Sequence, residues 1–154
     1  MNDPLRIRPA FPGEGPALSR LARCSKAYWG YGEGFLRAAR AELTVSGTYL
    51  AGGRAFVAER EGPALGFYGL SIEGQPPEVD FFFVARESIG TGVGRRMWEH
   101  LLQTARGLGW PHLDIVADPN AEAFYARMGA VRIGDHRSRL IEGRTLPLLQ
   151  MTLG

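Results

Sequence analysis

Apolar and polar positions switch period several times along this chain, and each switch marks a predicted element. Residues 5–10, Leu5-Arg6-Ile7-Arg8-Pro9-Ala10, alternate and stop at proline, which predicts a first strand. Residues 14–31 then carry Leu18, Leu21, Ala22 and Tyr28 at helical spacing, with Gly30 as the stop. Residues 32–43 repeat that period with Phe35, Leu36, Ala39 and Leu43 on one side, and 47–53 read as a turn or a short helical piece. Residues 54–61 and 63–74 predict two strands joined by a tight turn around Gly62 and Pro63, a hairpin. A third strand over 76–85 follows another turn, so an antiparallel meander is expected. A helix runs from about Arg95 to Arg106, with Met97, Leu101, Leu102 and Ala105 facing inward. Next come a strand over 112–118, a short helix over 120–129 stopped by Gly129, a strand over 130–135 and a last strand over 144–153. Pro147 predicts a bulge or edge position in that last strand.

This order predicts an α/β (α+β) fold with a single mixed, mostly antiparallel sheet and flanking helices. The chain of 154 residues contains no repeat, low-complexity tract or linker, so 1–154 is expected to be one domain. Apolar residues make up 45% and charged residues 22%, the balance of a soluble globular protein. The net charge of +2 is too small to argue for nucleic acid or an anionic membrane as a partner, although the sequence pI is about 9.0. Lys26 is the only lysine; every other cation is an arginine. Cys24 stands alone, which excludes an internal disulfide or a cysteine-based zinc site and favours a buried small hydrophobe in a reducing cytoplasm. The N-terminal stretch lacks the apolar core of a signal peptide, and nothing is long enough to span a bilayer. His100, His112 and His136 have no spaced metal partner, so no metal is expected, and His100 is expected at the surface.

The most informative stretch is residues 81–102, where an aromatic strand runs into Ile89-Gly90-Thr91-Gly92-Val93-Gly94-Arg95 and then into a basic helix. Repeated glycine lets the backbone turn tightly and present its N–H groups, and a helix start adds its dipole; together they favour an anion, commonly phosphate. The P-loop of NTPases requires a lysine that is absent here. The dinucleotide fingerprint requires glycine at 95, which is arginine, and a parallel βαβ unit rather than a meander.

The loop instead resembles the pyrophosphate loop of the GCN5-related N-acetyltransferases, the GNAT family, in which [R/Q]-x-x-G-x-[G/A] follows a strand ending in valine. Val84 ends the strand here and Ile89 stands at the place of the usual Arg or Gln. A second stretch is similar to the family's later motif, with Asn120, Ala121, Phe124, Tyr125 and Gly129 in order and spacing. The two matches span about residues 78–134.

The resemblance implies an N-acetyltransferase that moves an acetyl group from acetyl-CoA (coenzyme A) to a primary amine of a small molecule, amino acid, peptide or protein. It implies that the strand through Phe83 and Val84 splays from the strand over 112–118, and that backbone groups near Phe82, Phe83 and Val84 hold the pantetheine arm. Ile89, Gly90, Thr91, Gly92, Val93, Gly94 and Arg95 would hold the pyrophosphate. Asn120 would meet the pantetheine or amine side, and Phe124 and Tyr125 would meet the cofactor. Tyr125 is the candidate general acid for the departing thiolate, a phenol near 10 facing a thiol near 8.5. Asp80 or Glu78 is the candidate base: the two share a strand face, and an acid in the run Val79-Asp80-Phe81-Phe82-Phe83-Val84 is costly to bury without a purpose or a partner. Tyr28, Trp29, Tyr31 and Glu33, beside Phe35, are the candidate acceptor contacts. An apolar C-terminal strand suits a homodimer by analogy with similar proteins. Ile89 leaves a catalytically silent CoA-binding sensor or scaffold as the alternative.

Overall fold

The computed structural model describes residues 4–72 and 77–154. Its strands are β1 (Arg6–Pro9), β2 (Ala55–Glu59), β3 (Ala64–Leu70), β4 (Val79–Val84), β5 (His112–Val116), β6 (Val131–Arg137) and β7 (Thr145–Thr152). Its helices are α1 (Gly15–Tyr28), α2 (Glu33–Ala38), α3 (Gly47–Ala51), α4 (Val93–Gly107) and α5 (Glu122–Arg127). The turn expected near 74–76 lies outside the described residues.

Element order and pairing agree with the patterning. Strands β1 to β4 form an antiparallel ladder in chain order, and β5, β7 and β6 form a second one with β7 in the middle. Among the described residues the two ladders meet at a single parallel bridge, Glu78 to Asp114, where the Asp114 N–H also donates to the Pro77 carbonyl at 2.9 Å. Beyond that bridge β4 and β5 share no ladder rung, so the mixed sheet parts between them. The facing edges of both strands carry backbone groups without a strand partner.

A second irregularity lies beside the parting. Leu70 pairs with Val79 and Gly69 with Phe81, which leaves Asp80 as the extra residue of a β-bulge. A bulge bends and twists its strand and turns a side chain off the simple alternation.

Two apolar clusters cover the sheet. On one face α4 lays down Met97, Trp98 and Leu101 against Leu113, Ile115 and Leu149. On the other, Leu18 and Ala22 of α1 and Leu50 of α3 pack with Val57 and Phe67. Phe82 and Val84 belong to the first cluster and Phe81 and Phe83 to the second, so the aromatic strand is clamped from both sides.

Four details depart from the sequence reading. The second helix ends at Ala38, where the chain tightens to a three-residue bond from Arg40 N–H to the Arg37 carbonyl; Ala39 and Leu43 are still buried, so a turn satisfies the same apolar spacing. Pro147 is in a central strand, not at an edge. It sits at the end of the β5 pairing, where its carbonyl accepts from Ala117 at 2.9 Å and its missing N–H removes only the last rung. Cys24 is exposed on α1 rather than buried. His100 is partly buried, with its Nδ1 at 2.7 Å from the Tyr68 hydroxyl and its ring against Phe56.

Leu101 is fully buried under α4, so Leu101→Ala should cost about 2–5 kcal/mol of unfolding free energy. Urea denaturation measures it, and a loss within error of zero would mean that α4 does not anchor this core.

Candidate active site

The glycine loop is built from a short 3-10 turn, Arg86–Ser88, and the first turn of α4. Buried Ser88 fixes it: its carbonyl accepts the Thr91 N–H at 3.2 Å and the Thr91 hydroxyl at 2.5 Å. Gly90 and Gly92 have φ of 82° and 93°, left-handed values that side-chain-bearing residues avoid. The first helical bond is the one from Arg96 N–H to the Gly92 carbonyl. The N–H groups of Gly92, Val93, Gly94 and Arg95 therefore donate to no acceptor among the described residues and point out of the helix start together.

These groups open onto a cleft of about 610 Å³ that occupies the parting between β4 and β5. Of the residues expected to hold a cofactor, Phe82, Phe83, Val84, Ile89, Gly90, Gly92, Gly94, Arg95, Asn120, Phe124 and Tyr125 line it. Thr91 does not; it is exposed and spent on Ser88. Val93 is buried in the core, so only its N–H faces outward. Orphan N–H groups, two left-handed glycines and an apolar groove of this size fit a long ligand with an anionic diphosphate and an uncharged arm.

Tyr125 lies deep in the cleft wall, with its ring against Phe82, Trp98 and Phe124 at centroid distances of 5.9, 5.5 and 5.4 Å. Its hydroxyl has no hydrogen-bond partner among the described residues. Burial, and secondarily the Asp118 charge, push the phenol well above its ordinary range, so it stays protonated and is available as a donor.

Asp80 also lines the cleft. Its carboxylate accepts from the Tyr49 hydroxyl at 2.9 Å, and that oxygen also lies 3.0 Å from the Leu70 carbonyl. The residue is open to the cleft, yet lost hydration around the carboxyl raises it above the ordinary carboxylate range, with the Tyr49 hydrogen bond opposing. Gly69 makes room for this pair, because a Cβ there would stand 2.4 Å from the Tyr49 hydroxyl oxygen. Glu78 lies outside the cleft wall. Its backbone carbonyl accepts from Ser71 N–H at 2.9 Å, and its carboxyl is pushed up by burial and then by Asp80 and Asp114.

The expected acceptor cluster divides. Trp29 lines the cleft, whereas Tyr28 stands exposed with its ring edge-on to Trp29 at 5.0 Å. Glu33 faces a separate surface cavity with Arg23, Arg37 and Arg40, because Gly30, at φ 86°, turns the chain away after α1. Tyr31 does not line the cleft but stacks on Phe35 at 4.3 Å and donates to Asp118 at 2.8 Å.

Asp118 and Lys26 are the residues that the pattern reading missed. Asp118 caps the turn before α5 by accepting from Asn120 N–H at 2.8 Å, and it pairs with Lys26 at 2.5 Å. Burial would raise its carboxyl, but the Lys26 bond and charge and the Asn120 and Tyr31 bonds outweigh it and hold it below the usual range. Arg144 completes the set by donating to the Tyr31 hydroxyl at 3.1 Å. An Asp just before Pro119-Asn120 was a visible helix-cap signal. The pairing with Lys26, ninety-two positions away in the chain, carried no local signal.

Residues 35–152 match the family model of the acetyltransferase (GNAT) domain. The chain belongs to the GNAT acetyltransferases. It is an acetyl-CoA-dependent N-acetyltransferase, and the silent-module alternative is set aside. A curated relative, the 5-NmdU N-acetyltransferase of Pseudomonas phage PaMx11, is 29% identical over 136 residues, covering 84% of this chain and 89% of its own. A GCN5-related N-acetyltransferase from Rhodopseudomonas palustris shares the fold with TM-score 0.79 and 22% identity over 99% of both chains. The PaiA N-acetyltransferase of Thermoplasma acidophilum, solved with coenzyme A, has TM-score 0.76 and 14% identity over 97% of this chain and 99% of its own. In this GNAT enzyme no group of three or more His, Cys, Asp or Glu gathers as for a metal, and no helix is long and apolar enough to cross a membrane, among the described residues.

Replacing Gly92 by alanine forces a side chain into the left-handed region at about 1–2 kcal/mol. Calorimetric titration should then show acetyl-CoA affinity lowered roughly five- to thirtyfold. Unchanged affinity would mean that the loop is not the anion cradle.

Proposed function

We propose that the cleft runs N-acetyl transfer with Asp80 as the base for the acceptor amine and Tyr125 as the proton donor to the leaving sulfur. The observation that carries this reading is the pairing of two unlike groups on one cleft: a carboxylate raised above its ordinary range and a buried phenol with no hydroxyl partner among the described residues, flanking the groove at the glycine loop. Acetyl-CoA supplies an acyl group activated as a thioester; the rest is the work of the chain. The loop N–H groups and Arg95 hold the diphosphate, and the unpaired edge of β4 at Phe82–Val84 orients the arm and the acetyl carbonyl. Asn120, whose side-chain amide already donates to Asp118 at 2.9 Å, positions the same end.

Asp80 receives a proton from the incoming ammonium directly or through water, and its raised carboxyl is better matched to that task than an ordinary aspartate. Glu78, behind the wall and itself pushed up by burial and the Asp80 charge, is the weaker candidate. Tyr125 is too high to ionise near neutral pH, so it stabilises the departing thiolate by donating a hydrogen bond. Ile89 brings no polar side-chain atom to the loop, which leaves the diphosphate to the backbone and the helix dipole.

The acceptor is a primary amine that approaches past Trp29 toward the acidic Asp80 end. The phage relative is named for N-acetyl transfer to 5-NmdU, which supports transfer to nitrogen in this chain too. Action as one catalytic domain in the cytoplasm, without nucleic acid or membrane as partner, completes the reading, supported by the modest charge and single cysteine.

Tyr125→Phe should lower kcat by roughly a hundredfold or more while binding acetyl-CoA normally. Equal kcat with a true acceptor would remove Tyr125 from the chemistry. The base is tested by pH. The rate rises as Asp80 ionises, and the Tyr49 bond lowers that pKa, so Tyr49→Phe should move the acid limb of the pH–rate curve to higher pH. A limb that stays in place in Tyr49→Phe and persists in Asp80→Asn would assign the base elsewhere.

A further inference from the structure

The chain's only lysine stands in the acetyl-transfer cleft. Lys26, on the last turn of α1, lines the cavity shared by Asp118, Asn120 and Tyr125. Its ammonium is fixed against the Asp118 carboxylate, with the Tyr31 ring at 5.1 Å and the Phe35 ring at 5.9 Å. A carboxylate beside a stacked aromatic pair is a surrounding that favours an alkyl ammonium. The cage therefore already holds a primary amine, and that amine belongs to the protein itself. Lys26, Asp118 and Tyr125 line one cleft, so the amine and the proton donor border the same space. Arg144, the other cation of the network, presents a guanidinium and not a primary amine.

We propose that the enzyme acetylates its own Lys26. This rests on the reading of the cleft as the acetyl-transfer site. The Lys26 ammonium leaves Asp118, which stays ionised, and gives one proton to water in the cleft. The freed nitrogen lone pair forms a bond to the acetyl carbonyl carbon, and the carbon–sulfur bond breaks with its electron pair going to sulfur. Tyr125 donates a proton to that sulfur and regains one from solvent, while the nitrogen sheds its second proton to solvent. The balance is one ammonium and one acetyl thioester consumed, and one acetamide, one free thiol and one proton formed.

The product has lost the charge that pairs with Asp118. Asp118 keeps Tyr31 and Asn120 as donors, and its carboxylate is uncovered on the cleft side. The modified enzyme thus presents an anion where the unmodified one presents a cation.

The test uses the full chain incubated with acetyl-CoA and followed by intact mass and peptide mapping. One acetyl group should appear on the Lys26 peptide, at a rate constant independent of protein concentration. The rate should fall at least roughly tenfold in Tyr125→Phe, and the label should be absent from Lys26→Arg, which keeps a cation beside Asp118. Lys26 left unlabelled while titration shows acetyl-CoA bound would overturn the proposal. So would labelling that scales with protein concentration, or that proceeds equally fast on the denatured chain. Turnover of an added amine with Lys26 unlabelled overturns self-acetylation alone, whereas absence of acetyl-CoA binding overturns the catalytic reading with it.

Discussion

The structure depends on the parting of β4 from β5. Among the described residues one parallel bridge, Glu78 to Asp114, joins the two ladders, and past it both strands keep an unpaired edge. A backbone polar group buried without a partner costs about 1–3 kcal/mol, so a closed, dry gap at this place would be unstable. The gap is open instead, and it faces the helix start where the loop N–H groups also lack acceptors. Two sets of unmet donors and acceptors, one on strands and one on a helix, converge on a single groove. The bulge at Asp80 and the clamp on Phe81–Val84 from both sides keep that groove from collapsing.

Around the groove the same residue type is driven in opposite directions. Asp80 and Asp118 both lose hydration, but Asp118 gains a lysine, an amide and a phenol as partners and stays ionised. Asp80 gains one tyrosine hydroxyl and is raised. The environment, not the side chain, divides them into an anion that holds structure and a carboxylate suited to proton transfer. Tyrosine divides likewise: Tyr49 and Tyr31 give their hydroxyls to carboxylates, while Tyr125 keeps its own free.

Most of the fold was legible in the sequence because local periodicity and punctuation coincide with the elements. The alternation at 5–10, the Gly62-Pro63 turn and the helix after Gly92 all form where the pattern puts them. The glycine loop was legible for a stronger reason, since left-handed backbone at positions 90 and 92 leaves glycine as the natural residue. Pairings that join distant segments were not legible. Nothing in the neighbourhood of Lys26 announces Asp118, and nothing near Tyr49 announces Asp80 except Gly69, whose reason emerges only once the phenol is seen against it. Pro147 misled because a proline says where a hydrogen bond is missing, not whether that place is an edge or the end of a rung.

Hydrogen exchange of backbone amides with and without acetyl-CoA tests the central claim, that the parting and the loop together hold the cofactor. The account predicts slowed exchange confined to Gly90–Arg95 and to the facing edges of β4 and β5, with β1, β2 and β7 unchanged. Saturating acetyl-CoA that protects another surface, or that leaves the Gly92–Arg95 amides exchanging at their free rate, would contradict it.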